Sequence, residues 1–102
     1  MRKVMVRYRV KPERVAENEE LVRAVYEELE LTKPDGLRYA TFRLEDGVSF
    51  AHIAIEQDET PSALPQTAAF RAFTENIGER CDEPPVVVEL QEVGSYRFLE
   101  RA

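Results

Sequence analysis

His52 is the chain's single histidine. It is also the only side-chain type present whose unperturbed pKa puts proton gain and loss near neutrality. That makes it the natural candidate for a general base. Such chemistry asks for one base, groups that orient the ligand and a dry pocket. No cofactor and no metal is expected: one histidine and one cysteine, Cys81, cannot build a two-histidine iron triad, a three-histidine zinc site or a cysteine-rich zinc site within one chain. The plainer alternative for His52 is a structural mid-strand residue, hydrogen-bonded to Thr41 or to an arginine.

Three further residues are candidates to orient a ligand, each with a structural alternative. Asn18 interrupts an otherwise apolar helical stripe, and a buried amide needs partners because an unsatisfied one costs ~1–3 kcal/mol. It can bond the sheet, hold a water or point at a ligand. Tyr39, like Tyr8, can stack on an aromatic ligand or simply pack in the core or at an edge. Arg7, with Arg9 and Arg43, can hold an acidic or phenolate group, or pair across strands with Glu89 and Gln91. Cys81 closes an apolar stripe, reads as a small buried hydrophobe and has no histidine near it in sequence. There is no glycine-rich phosphate loop, no Gly-x-Ser-x-Gly elbow and no metal-ligand spacing. Glu27-Glu28 and Asp58-Glu59 read as solvated charge pairs.

The elements that must position these groups follow from periodicity. Val4, Val6, Tyr8 and Val10 alternate with polar or larger neighbours, which is strand patterning. Lys11-Pro12 ends that strand and Pro12 suits the first turn of a helix. Val15, Asn18, Val22, Val25 and Leu29 then recur at helical spacing, to an end near Leu31. Pro34-Asp35-Gly36 is a turn. Strands over Leu37–Glu45 and Val48–Glu56 flank Asp46-Gly47, a hairpin signal read as a two-residue type I′ turn. That register sets Arg43 opposite Phe50, Thr41 opposite His52 and Tyr39 opposite Ala54. Thr60-Pro61 through Pro65 is a loop, and a second helix is expected from Gln66 to Arg80 with Phe70, Phe73, Ile77 and Cys81 inward. Glu83-Pro84-Pro85 stops it. Val86–Val93 forms the last strand, and Tyr96–Leu99 a short tail after Gly94.

Strand, helix, strand, strand, helix, strand in 102 residues is the ferredoxin-like βαββαβ pattern: an α+β fold with a four-stranded antiparallel sheet and both helices on one face. One domain over residues 1–102 is expected. Extending the strand parities yields two faces. One gathers Val4, Val6, Tyr8, Val10, Ala40, Phe42, Ala51, Ile53, Val86 and Val88. The other mixes Met5, Arg7, Arg9, Tyr39, Thr41, Phe50, His52, Ala54, Val87 and Glu89. The mixed face is half apolar, so it reads as a dimer surface or a pocket wall. Which face the helices cover decides whether His52 and Asn18 can share a pocket.

Charge narrows the partners. Lys and Arg number 14 against 20 Asp and Glu, a net charge of −6. Nucleic acid is an unsuitable partner for that balance, because phosphate contacts need surplus cations. No apolar run approaches the ~18 residues of a membrane span. Arg7 and Arg9 interrupt the stretch that an N-terminal signal would need. A reduced, cytoplasmic setting is therefore expected.

Lys11-Pro12 before an acidic helix, the run PDGLRYATFRLEDGVSFAHIAIE and the later AAFRAF together resemble the antibiotic-biosynthesis-monooxygenase-like family over Val4 to about Val93. The resemblance implies a homodimer that pairs two sheets into an α/β barrel, with a small ligand, here an aromatic one, bound between sheet and helices. It also implies a cofactor-independent monooxygenase of phenols or quinols, with His52 as base and Asn18, Tyr39 and Arg7 as orienting groups. The chain departs from the family pattern at Ala54, where an acid is common, and at Ala69, where a histidine often precedes the phenylalanine. It has no tryptophan, so the site of the haem-degrading branch does not transfer. These departures favour the alternative of a non-catalytic ligand-binding or interaction module on the same barrel.

Overall fold

The computed structural model describes residues 1–57 and 62–98. Its elements are β1 (Arg2–Val10), a 3-10 turn (Pro12–Arg14), α1 (Val15–Thr32), β2 (Leu37–Arg43) and β3 (Ser49–Glu56). A second 3-10 turn (Leu64–Gln66), α2 (Ala68–Thr74), α3 (Ile77–Arg80) and β4 (Cys81–Glu89) complete them. The strands lie in the order β2-β3-β1-β4, each pair antiparallel. This is the ferredoxin-like arrangement expected from the element order. Asp58-Glu59, Thr60-Pro61 and Leu99 fall outside the described residues.

Local chemistry explains most boundaries. Pro12 opens the turn that leads into α1, and Lys33 closes α1 in the left-handed region, its N–H bonding to the Leu29 carbonyl. The Thr67 side chain caps α2 by accepting from the Phe70 N–H. Glu28 on α1 adds a second anchor: its carboxylate accepts from the N–H groups of Ala68 and Ala69, at 3.1 and 2.9 Å. A carboxylate placed there meets the positive end of α2 and ties the helices together.

Three local expectations need correction. The hairpin keeps its register, with Thr41 opposite His52 and Arg43 opposite Phe50, but the turn is not type I′. Only Gly47 in the turn has positive φ, and Leu44 still bonds across to Ser49. The Asp46 carboxylate accepts from the Val48 and Ser49 N–H groups and the Ser49 hydroxyl, which favours this wider loop. The second helix is broken, because Asn76 sits at φ 59° between α2 and α3. The last strand starts at Cys81, not after the prolines. As an edge strand, β4 tolerates Pro84 and Pro85, and its register against β1 shifts there.

The largest correction concerns the sheet faces. Val4, Val6 and Tyr8 pair with Ala54, His52 and Phe50. In an antiparallel ladder, paired residues share a face, so β1's valines and Tyr8 lie with the supposedly mixed set. That face carries the helices: Tyr8, Val10, Phe50, His52 and Ala54 are buried, and with Val25, Leu64, Phe73 and Cys81 they make the core. The opposite face holds Met5 and Arg7 alongside Ala40, Phe42, Ala51, Ile53, Val86 and Val88. Phe42 and Val86 there are more than half exposed. Both faces of β3 are apolar enough to be buried, so only the long-range register to β1 could decide.

Candidate functional site

Beneath α1, a line of polar side chains crosses the core. At its centre is His52, in mid-β3 and 4 % exposed. Its Nε2 lies 2.7 Å from the Tyr8 hydroxyl on β1. Its Nδ1 lies 2.6 Å from the Tyr39 hydroxyl and 3.0 Å from the Thr41 hydroxyl, both on β2. Tyr8 accepts from the Asn18 amide on α1 at 3.0 Å, and Arg80 on α3 donates to the Asn18 oxygen at 3.4 Å. At the other end, the Tyr26 hydroxyl on α1 meets Thr41 at 2.7 Å. Every buried side-chain nitrogen and oxygen among the described residues has a partner.

Arg80 sets the direction of this chain. A guanidinium only donates, so the Asn18 oxygen accepts and the Asn18 NH₂ donates to Tyr8. The Tyr8 O–H is then left to donate to Nε2. That assignment places the ring hydrogen on Nδ1, pointing at the oxygens of Tyr39 and Thr41. Arg80 is itself held by the carbonyls of Phe73 and Glu75, at 2.6 and 3.3 Å, and lies over the Phe73 ring.

The surroundings are dry and aromatic. The rings of Tyr8, Tyr39 and Phe73 lie 5.3, 5.8 and 5.2 Å from the imidazole. Burial penalises the charged ring and lowers its pKa from 6.5 to about 4. Burial likewise raises the Tyr8, Tyr39 and Tyr26 hydroxyls, so all three stay protonated at neutral pH. His52 is therefore a neutral donor–acceptor with both nitrogens engaged. It does not stand free as a base.

Of the four residues singled out from sequence, the fold brings His52, Asn18 and Tyr39 into this one chain. Arg7 is not with them: it projects from the opposite face, opposite Val86 of β4 and beside a groove that Glu83 and Pro84 also line. An alternating strand cannot place Arg7 and Tyr8 on one side. Two participants escaped the sequence reading. Tyr26 stands four residues after Val22 and eight after Asn18, so helical spacing could have found it. Arg80 carried no such signal, since a charged residue ending a helix normally faces water. Where the chain ends at Tyr26 and Tyr39, a depression of about 190 Å³ opens between α1 and β2, lined also by Leu29, Glu30, Pro34 and Leu37.

No protein-family model matches the chain, and no curated protein matches it. Solved structures do. One described as an antibiotic biosynthesis monooxygenase is 24% identical, with 92% of this chain and 100% of that one aligned at a TM-score of 0.70. The chain shares the fold of that structure. A protein of Bacteroides thetaiotaomicron, provisionally so named, superposes with a TM-score of 0.77 at 15% identity, covering 99% of this chain and 95% of its own. Another, from Nitrosomonas europaea and also provisionally named, has a TM-score of 0.72 at 18% identity, covering 90% and 89%. At these identities the likeness is one of fold, and it bears out the resemblance read from the sequence at that level. No helix among the described residues is long and apolar enough to cross a membrane.

Proposed function

We propose that the chain is a small-ligand-binding α/β-barrel protein, homodimeric through its sheet, and a cofactor-independent monooxygenase of phenols or quinols. The observation that carries this reading is the directed chain from Arg80 through Asn18, Tyr8 and His52, which leaves Nδ1–H as a fixed donor in a water-poor site. Fixed donors in such a place favour an oxygen that carries negative charge, because they need no reorganisation as the charge develops. His52 thus acts by holding a phenolate oxygen, in place of the base first expected. The phenol's proton leaves to solvent at the mouth between α1 and β2.

The reaction balances without a cofactor. A phenolate gives an electron to O₂, the radical pair joins as a ring peroxide, and O–O cleavage leaves a quinone carbonyl and water. Phenol plus O₂ thus becomes quinone plus water, and the substrate supplies all four electrons. The exposed apolar face with Phe42, Val86 and Val88 supports the dimer, since a patch of that kind tends to be covered. A reduced, cytoplasmic setting accords with the free, buried Cys81.

Oxygen uptake across a phenol and quinol panel, with wild type and His52→Ala, tests the activity. Uptake on an active substrate that survives His52→Ala unchanged would remove His52 from the chemistry. A second reading, a binding module without turnover, is favoured by the engagement of both ring nitrogens of His52. Thermal stabilisation by phenols with no oxygen consumption would establish it.

A further inference from the structure

We propose that Tyr39 is a gate whose own phenol occupies the ligand's place, and that a single-ring phenol reaches His52 Nδ1 by displacing it through the mouth between α1 and β2. This rests on the small-ligand reading above and specifies where the ligand binds. Two independent observations support it. The first is redundancy. Nδ1 has one hydrogen to give, yet two hydroxyls compete for it, Tyr39 at 2.6 Å and Thr41 at 3.0 Å. His52 stays partnered by Thr41 when Tyr39 leaves, so withdrawing the Tyr39 hydroxyl orphans no buried nitrogen. Tyr8 has no such freedom, because among the described residues it alone serves Nε2, and it also accepts from Asn18.

The second observation is position. Of the groups that touch the imidazole, Tyr39 is the one that also lines the depression of about 190 Å³ with Tyr26, Leu29, Pro34 and Leu37. A cavity of about 150 Å³ holds a benzene-sized molecule, so the depression has room for one ring. Its walls mix polar and apolar groups, Glu30 among them, and the Tyr26 ring, stacked on Tyr39 at 5.4 Å, offers the ligand the same stacking surface. The class of ligand follows from the occupant: what sits against Nδ1 is a phenol, held by its oxygen.

A closed gate lowers the apparent affinity in proportion to the fraction of molecules that are open. Tyr39→Phe removes the hydrogen bond that helps to close the gate, and one such bond is worth roughly 2- to 12-fold in that equilibrium. The probe is 4-fluorophenol observed by fluorine NMR, with fluorobenzene as the comparison that lacks the oxygen. The expected result is weak binding to wild type and up to about tenfold tighter binding to Tyr39→Phe. Tyr39→Ala, which enlarges the depression, binds tighter still if it folds. In each protein the phenol should be preferred over fluorobenzene and should shift the His52 Nδ1 resonance. Equal or weaker binding to Tyr39→Phe, or no preference for the phenol, overturns the proposal. These readouts involve binding alone, so a failed oxygen-uptake assay leaves them standing, and their failure leaves that assay to be judged separately.

Discussion

Acidifying the protein through the range in which His52 titrates isolates the energetic cost of burying that ring. Its pKa falls from 6.5 to about 4 because burial disfavours the charged form. Between these values the unfolded chain binds a proton that the folded chain refuses. Stability therefore rises with pH across this window, and is lost as pH falls from about 6.5 toward about 4. At ~1.4 kcal/mol per pH unit the full loss is ~3 kcal/mol, a large share of the ~5–15 kcal/mol that holds a small domain together. Geometry adds to the cost, since an imidazolium would turn a second donor toward the Tyr8 oxygen, which already accepts from Asn18. Urea unfolding of wild type and His52→Gln at about pH 7.5 and about pH 4.5 measures it, because the carboxylates titrate in both proteins and cancel in the difference. Wild type should lose ~2–3 kcal/mol more than the variant. Parallel pH profiles, or a folded-state imidazole that titrates near 6.5 by NMR, would refute the reasoning.

Other predictions follow from the same contacts. Tyr8→Phe leaves both Nε2 and the Asn18 NH₂ group without a partner, and should cost ~2–4 kcal/mol by chemical denaturation, well above the cost of Tyr39→Phe. Glu28→Ala removes the acceptor of two N–H groups at the start of α2, and should cost ~1–2 kcal/mol with loss of amide-exchange protection at Ala68 and Ala69. Phe42→Glu places a charge on the uncovered sheet face and should turn a dimer into a folded monomer by light scattering, with an unchanged circular dichroism spectrum. A wild type already monomeric at micromolar concentration would count against pairing through that face.

The order of elements was legible because each depends on neighbours in sequence. The stripe from Val15 to Leu29 predicts α1, and the hairpin register survived an error in turn type. It did so because a four-residue loop over Glu45–Val48 and a two-residue loop at Asp46-Gly47 share the same centre. The prolines misled, since Pro84 and Pro85 forbid a central strand but not an edge one, and edge position is a property of the sheet. Asn18, His52 and Tyr39, singled out as polar residues on patterned elements, meet in one hydrogen-bonded chain. Arg7 was grouped with them through a mistaken parity for β1.

Composition and periodicity by themselves determined the ferredoxin-like order of elements, and showed that a single buried amide and a single histidine would need partners. Those are local properties: spacing along one strand or helix decides which residues share a face. The tertiary structure alone decided that Val6 lies opposite His52, and with it which face the helices cover. It alone brought Arg80, distant in sequence and charged, to Asn18. Contacts of that kind depend on closing long loops between elements that could each bury either side. No pattern within one element contains the choice; it is made when the whole sheet and both helices must satisfy their polar groups at once.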